Sequence, residues 1–243
     1  MAGFFFLYPT HTNGQFDLTF KQSIYINTNL PNLENQNGYY FPKGNGTFSS
    51  LLVKYSSKHY SLSAEPIIQS NRALTINVPS KTKLFSVLND VPKHSIYKPN
   101  QFRNTGLTVH YNGITAGFGN WDQWWGPGMH NSLVLSNNAE GFYHYFIGTN
   151  AYQTIVSNLS FKFKYMVSDE MKNWAGADYF YSAWFLNLRY KEIEFGMSRN
   201  VLSGGYSDLP WSLSDAMTVL VNHKNSMYWD AINEYYLLAS FPE

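Results

Sequence analysis

Cysteine is absent from the 243-residue sequence, and only 14% of its residues are charged, well below the roughly 25% of ordinary soluble domains. The lack of cysteine excludes disulfides, thiolate metal sites and a cysteine nucleophile. The formal net charge is +1, with no long run of one sign, which excludes the broad basic surface that nucleic-acid binding requires. No stretch approaches the roughly 18 consecutive apolar residues of a membrane-spanning helix. The sequence therefore predicts neither a nucleic-acid partner nor a helical membrane protein.

The motifs of common enzymes are absent as well. The seven histidines show no HExxH or similar metal-ligand spacing, and the sequence has no G-x-S-x-G elbow and no phosphate-binding loop. A glycoside hydrolase would need two carboxylates about 5 to 10 Å apart, and no pattern pairs any two of the acidic residues. We therefore expect no catalytic residues, no metal and no cofactor.

Aromatic residues, by contrast, make up 18% of the sequence, and apolar residues recur with a period of two. From Gln15 to Asn27 apolar and polar side chains alternate, which is typical of a two-faced strand. The segment from Ile155 to Val167 repeats this alternation. Both segments are therefore predicted to be strands with one apolar and one polar face.

Three hairpins are predicted, around Asn112-Gly113, around residues 56–59 and at Lys191-Glu192. In each, the residues that face one another across the turn place apolar side chains on one face. Arg189 faces Glu194 on the polar face of the third hairpin. The predicted apolar pairs are Tyr111 with Ile114, Val109 with Ala116, Leu107 with Phe118, Tyr55 with Tyr60, Val53 with Leu62, Leu51 with Ala64, Tyr190 with Ile193, Leu188 with Phe195, and Leu186 with Met197.

Longer connections separate these hairpins, near residues 28–46, 67–105, 120–141, 168–178 and 200–233. If strands run up and down, every short turn lies at one end and every long connection at the other, as in outer-membrane barrels. The sequence thus predicts an all-β fold: an antiparallel up-and-down transmembrane β-barrel of about ten strands, partial, in one domain over 1–243. Residues 67–105 would form a long loop or a plug in the lumen. A soluble antiparallel sandwich explains the alternation equally well.

Residues 122–142 read DQWWGPGMHNSLVLSNNAEGF. This segment resembles the pattern RxWWGPG followed by SLxLSNNA of the Wzi-type capsule assembly family. The segments LRYKEIEFGMSRN (residues 188–200) and WDAINEYYLLASFP (residues 229–242) are similar to later segments of the family in order and spacing. The sequence departs from the pattern at Asp122, near where the family often has a basic residue.

The resemblance implies an outer-membrane β-barrel that acts as a surface lectin and attaches capsular polysaccharide to the cell without catalysis. It extends from about residue 15 onward, but family members are nearly twice as long, so the chain resembles an N-terminal half. The implied partners are capsular or extracellular polysaccharide and outer-membrane lipid, and we expect a monomer.

The N-terminal MAGFFFLYPTHTNG lacks a basic region and a cleavage site, so no signal peptide is expected in this chain. The alternatives are a secreted carbohydrate-binding β-sandwich and an outer-membrane diffusion channel.

The candidate ligand-binding residues belong to the tryptophan-rich connection: Trp121, Asp122, Trp124, Trp125, Ser136, Asn137 and Asn138. The tryptophan rings could stack on pyranose faces, or they could brace the loop in the lumen or at the membrane interface. The small polar side chains of residues 136–138 suit hydroxyl-rich ligands, but they also bond to turn backbone, and we favour the turn role.

Five further residues are expected to be structural. Gly126, Pro127 and Gly128 should shape a turn, because glycine tolerates positive φ and proline fixes its own φ. Glu194 and Arg199 lie on a strand whose polar face should line the lumen. The hairpin pairing, however, places Arg199 with the apolar residues, so the two assignments of Arg199 conflict.

Overall fold

The regular structure of the described residues consists of β-strands. The computed structural model describes residues 14–28, 43–73, 101–126, 132, 135–137, 141–172, 178–204 and 229–239. No helix within these ranges is long and apolar enough to cross a membrane. The strands are β1 (Gln15–Asn27), β2 (Gly44–Ser56), β3 (Tyr60–Ala73), β4 (Phe102–Tyr111), β5 (Ile114–Gly119), β6 (His144–Thr149), β7 (Gln153–Val156), β8 (Leu159–Ser168), β9 (Met171–Lys172), β10 (Asp178–Tyr190), β11 (Ile193–Gly204) and β12 (Trp229–Ala239).

The first compact unit comprises residues 1–106 and 137–141. It contains β1, β2, β3 and the beginning of β4, in that order in the sheet. β1 and β2 are antiparallel and paired along their whole length, from Gln15 opposite Ser56 to Asn27 opposite Gly44. β2 and β3 are also antiparallel.

The second compact unit comprises residues 107–136 and 142–243. Its strand order is β4-β5-β6-β8-β10-β11-β12, and the short strands β7 and β9 pair with β8 and β10. Neighbouring strands of the sheet thus follow one another along the chain, apart from the two short ones. The predicted all-β, antiparallel, up-and-down arrangement of about ten main strands is confirmed for the described residues.

Two of the predicted hairpins have the expected turns. Asn112 and Gly113 both have positive φ, 47° and 82°, as a two-residue hairpin turn of the favoured twist requires. At residues 191–192, Tyr190 faces Ile193 and Arg189 faces Glu194 with no break in register, and Lys191 takes the positive φ of 52°.

The hairpin predicted around residues 56–59 differs from its predicted register by two residues. Val53 lies opposite Ala64 instead of Leu62. The hydroxyl of Ser57 accepts hydrogen bonds from the backbone N–H groups of His59 and Tyr60 at 3.4 and 3.2 Å. These bonds centre the turn on residues 58–59, one position later than predicted. A shift of two residues leaves every side chain on its predicted face.

Two predicted boundaries are also corrected. The segment from Ile155 to Val167 is two strands, because Asn158 adopts a φ of 67° and makes a turn between β7 and β8. β3 extends to Ala73 and β4 begins at Phe102, so strands occupy both ends of the 67–105 range. Residues 74–100, where the plug was predicted, lie outside the described residues.

The two faces of the strands differ in what they expose. One face, called here the apolar face, leaves large side chains uncovered: Ile26 is 80% exposed in the first unit and Tyr111 74% in the second. The opposite face, called here the polar face, buries Ser50 and Glu65 in the first unit and His144 in the second. Among the described residues, these exposed side chains of the apolar face are therefore not packed together in a dry centre, as the apolar face of a sandwich would be.

Candidate functional site

The tryptophan loop, defined here as residues 120–126 after β5, packs on the polar face of the second unit. Trp125 is 5% exposed and forms a hydrophobic cluster with Met166 of β8 and Ala183 of β10. Its ring meets that of Phe185 edge to face, with centroids 4.9 Å apart. Its backbone N–H donates to the carbonyl of Leu135 at 2.9 Å, so a later part of the same connection is fixed beside it.

Gln123 is the hydrogen-bonding centre of the loop. Its Oε1 accepts from Trp125 Nε1 at 3.2 Å and from Lys164 Nζ at 2.8 Å. Its Nε2 donates to the carbonyl of Trp121 at 3.0 Å and lies 3.3 Å from Nε2 of His144. One nearly buried side chain thus ties two tryptophans of the loop to β6 and β8.

His144, at the start of β6, is completely buried. Its Nδ1 lies 2.8 Å from the carbonyl oxygen of Phe142, which can only accept, so Nδ1 carries a proton. Nε2 can then accept from the Gln123 amide, as in a neutral imidazole. The ring of Trp121 meets those of His144 and Phe146 edge to face, at 5.9 and 5.6 Å between centroids.

The three tryptophans therefore occupy different environments. Trp125 is buried, Trp121 is half-buried, and Trp124 is 40% exposed. Trp121 and Trp125 thus make contacts that brace the loop, whereas Trp124 is the most exposed of the three. Gly126 has a φ of 121°, a conformation that favours glycine.

The structure describes only some of the other predicted residues of this segment. Asp122, Ser136 and Asn137 are half-buried. Asn138, Pro127 and Gly128 lie outside the described residues, so their predicted roles remain predictions. The structure thus brings Trp121 and Trp125 together around Gln123.

Glu194 and Arg199 lie on opposite faces of β11. Glu194 binds Arg189 on the polar face, with 2.8 Å between Oε2 and Nη2, and the guanidinium lies 3.8 Å from the centre of the Tyr152 ring. Arg199 faces Trp184 across an unbroken register, which places it on the apolar face, where it is 3% exposed. Its assignment to the polar face is wrong, because residues an odd number apart on a regular strand point to opposite sides.

Sequence reasoning missed a second polar cluster, in the first unit, centred on Glu65. This carboxylate is 1% exposed. Ser50 Oγ and Asn104 Nδ2 donate to it at 2.8 and 2.7 Å, and Lys21 Nζ lies 3.4 Å away. The four residues come from four strands, so no local motif could have indicated the cluster.

Sequence reasoning also did not single out Gln123, His144 and Lys164 as site residues. The alternation of β8 places Lys164 on the polar face, but its contact with Gln123 joins residues far apart in the chain. Within the described ranges, no group of three or more His, Asp or Glu side chains is placed to hold a metal ion.

Comparison with known protein families gives a match over most of the chain. The family model described as Capsule assembly protein Wzi matches residues 27–235, which is most of the chain. No curated protein and no solved structure gives a significant match.

Proposed function

We propose, from the premise that the chain belongs to the capsule assembly protein Wzi family, that it forms part of an outer-membrane β-barrel and binds polysaccharide at the cell surface. The ligand is capsular or extracellular polysaccharide, and the end of the sheet with the long connections holds it. The protein acts as a lectin, without catalysis or a cofactor, and helps to attach the polymer to the cell.

The observation that carries this proposal is that many large apolar side chains are exposed while polar side chains are buried, the reverse of the usual pattern in a soluble protein. Ile24 and Ile26 in the first unit and Tyr111 in the second are each more than 70% exposed. In water, exposed apolar area costs about 25 cal/mol per Å², and a continuous apolar face of this kind would favour aggregation. In a bilayer the same face would contact lipid, and the strand pairing of the complete barrel would satisfy the backbone.

The tryptophan loop supports the sugar-binding part of the proposal. The contacts of Trp125 and Gln123 fix the loop, so the 40% exposed Trp124 would contact a ligand at little cost in conformational entropy. Aromatic rings stack on the apolar faces of pyranoses. A polysaccharide repeats the same sugar many times, so weak contacts at successive units add up to stable retention.

The first experiment tests the membrane assignment with the full-length gene product. We expect it to partition with outer membranes and to need detergent for extraction. Recovery in the aqueous fraction would contradict this and would favour the secreted sandwich. Ion conduction across a planar bilayer, without polysaccharide binding, would favour a diffusion channel.

The second experiment tests polysaccharide attachment on cells. A strain that lacks the gene should release capsule into the medium, and the wild-type gene should restore attachment. Trp124→Ala should weaken binding of purified polysaccharide roughly 5- to 10-fold, as expected for one lost stacking contact. Trp124→Phe, the matched control, should retain most of it. Unchanged capsule attachment in the deletion strain would refute the lectin role.

A further inference from the structure

Two lysines lie side by side on the polar face of β8. Lys162 and Lys164 are two positions apart, so their side chains point to the same side of the strand. Lys164 Nζ lies 4.4 Å from the centre of the Phe146 ring, and Lys162 Nζ lies 6.0 Å from that of Phe185. Two like charges therefore lie next to aromatic rings, and Lys164 also contacts the tryptophan loop through Gln123.

The described residues do not neutralise this pair. No described carboxylate forms an ion pair with either lysine. The facing positions on the adjacent strands are uncharged: Gly148 on β6 lies across from Lys164, and Asn187 on β10 lies across from Lys162. On β11, Glu194 is engaged by Arg189. Partly buried charges are costly unless an opposite charge approaches them, so this position favours an anion.

We propose that Lys162 and Lys164 form a subsite for an anionic substituent of the polysaccharide, a carboxylate or a phosphate on a sugar ring. This inference rests on the proposed function, because the ligand is the same polymer. Gln123 Oε1 already holds Lys164 Nζ at 2.8 Å, so one ammonium group is fixed in place. Lys162 has three N–H donors that can reach a ligand oxygen. The resulting charge-assisted hydrogen bonds would select acidic over neutral sugars.

The test uses the full-length protein in detergent and capsular polysaccharide purified from the source bacterium. The polymer is compared in three forms: native, carboxyl-reduced, which converts uronic acids into neutral sugars, and dephosphorylated. Lys162→Gln removes one charge without disturbing the Gln123 contact. Lys162→Arg keeps the charge, and Lys58→Gln removes a lysine charge at an exposed turn as the matched control.

If the subsite exists, native polymer should bind the wild type more tightly than one of the neutralised forms, and added salt should reduce the difference. Lys162→Gln should weaken binding of native polymer roughly 5- to 10-fold, as expected when a charged hydrogen bond is replaced by a neutral one. The same variant should bind the neutralised form like the wild type, and Lys162→Arg and Lys58→Gln should bind native polymer normally. The form that loses affinity identifies the substituent as carboxylate or phosphate.

Equal binding of all three polymer forms by the wild type would overturn the subsite. So would an unchanged affinity of Lys162→Gln for native polymer. Both results would leave the lectin role intact, because its own test is the loss of binding in Trp124→Ala. If the wild type binds no form of the polymer, the proposed function fails together with the subsite.

Discussion

Two clusters lie on the polar face, one in each compact unit, and they differ in what they hold together. In the first unit, Glu65 accepts hydrogen bonds from Ser50 and Asn104 and is balanced by Lys21. Every member lies on a strand. In the second unit, the neutral Gln123 joins a loop to Lys164 and Trp125. The first cluster therefore links four strands to one another, whereas the second cluster attaches a loop to a strand.

The difference suggests a division between scaffold and binding surface. A buried carboxylate with matched donors is hard to remove without loosening the strands that supply them. A neutral amide holds a loop firmly, but leaves a positive charge available to a ligand. Variants in the two clusters should accordingly affect different properties, global stability in one and loop order in the other.

The largest effect is expected for Glu65→Ala. The change removes the acceptor of the buried Ser50 hydroxyl and of the half-buried Asn104 amide, and it opens a cavity. We expect the free energy of unfolding to fall by about 3 kcal/mol, measured by urea unfolding of the detergent-solubilised protein. Lys21 is partly exposed and can turn to water, which limits the loss. A decrease of less than about 1 kcal/mol would show that the cluster is not structural.

A smaller and more local effect is expected for Gln123→Ala. The variant removes the acceptor of Lys164 and of the Trp125 indole, and should cost about 2 kcal/mol. Because the contacts hold a loop, we expect faster proteolysis between β5 and β6 and stronger acrylamide quenching of tryptophan fluorescence, with far-UV circular dichroism unchanged. Gln153→Ala, at the beginning of β7, is the matched control. Loss of β-structure in Gln123→Ala would instead place Gln123 with the scaffold.

The sequence could predict the faces of the strands better than their partners. Period-two alternation and the Asn112-Gly113 turn are local signals, so β1 and the β4–β5 hairpin agree with expectation. The predicted register of β2 and β3 was wrong because the side chain of Ser57 sets the position of the turn. The turn at Asn158 was missed because the alternation of apolar residues continues through it.

The site was less predictable than the fold, and for a physical reason. Stacking chemistry identified the tryptophans, but it could not distinguish exposed Trp124 from buried Trp125. That distinction depends on Met166 and Ala183, which the pairing of β8 with β10 brings under the loop. Gln123 was overlooked because its importance arises from Lys164 and His144, two partners distant in the chain.

The smallest effect is expected where charges meet near solvent, at Arg189 and Glu194. Their atoms are 2.8 Å apart, closer than Lys21 and Glu65 at 3.4 Å, but the arginine side chain is 46% exposed. Water screens such a pair, so a double-mutant cycle of Arg189→Ala and Glu194→Ala should give a coupling of about 0.5 kcal/mol. Moderate salt should reduce it further. A salt-independent coupling above about 2 kcal/mol would show that distance, rather than burial, sets the strength of ion pairs on the polar face.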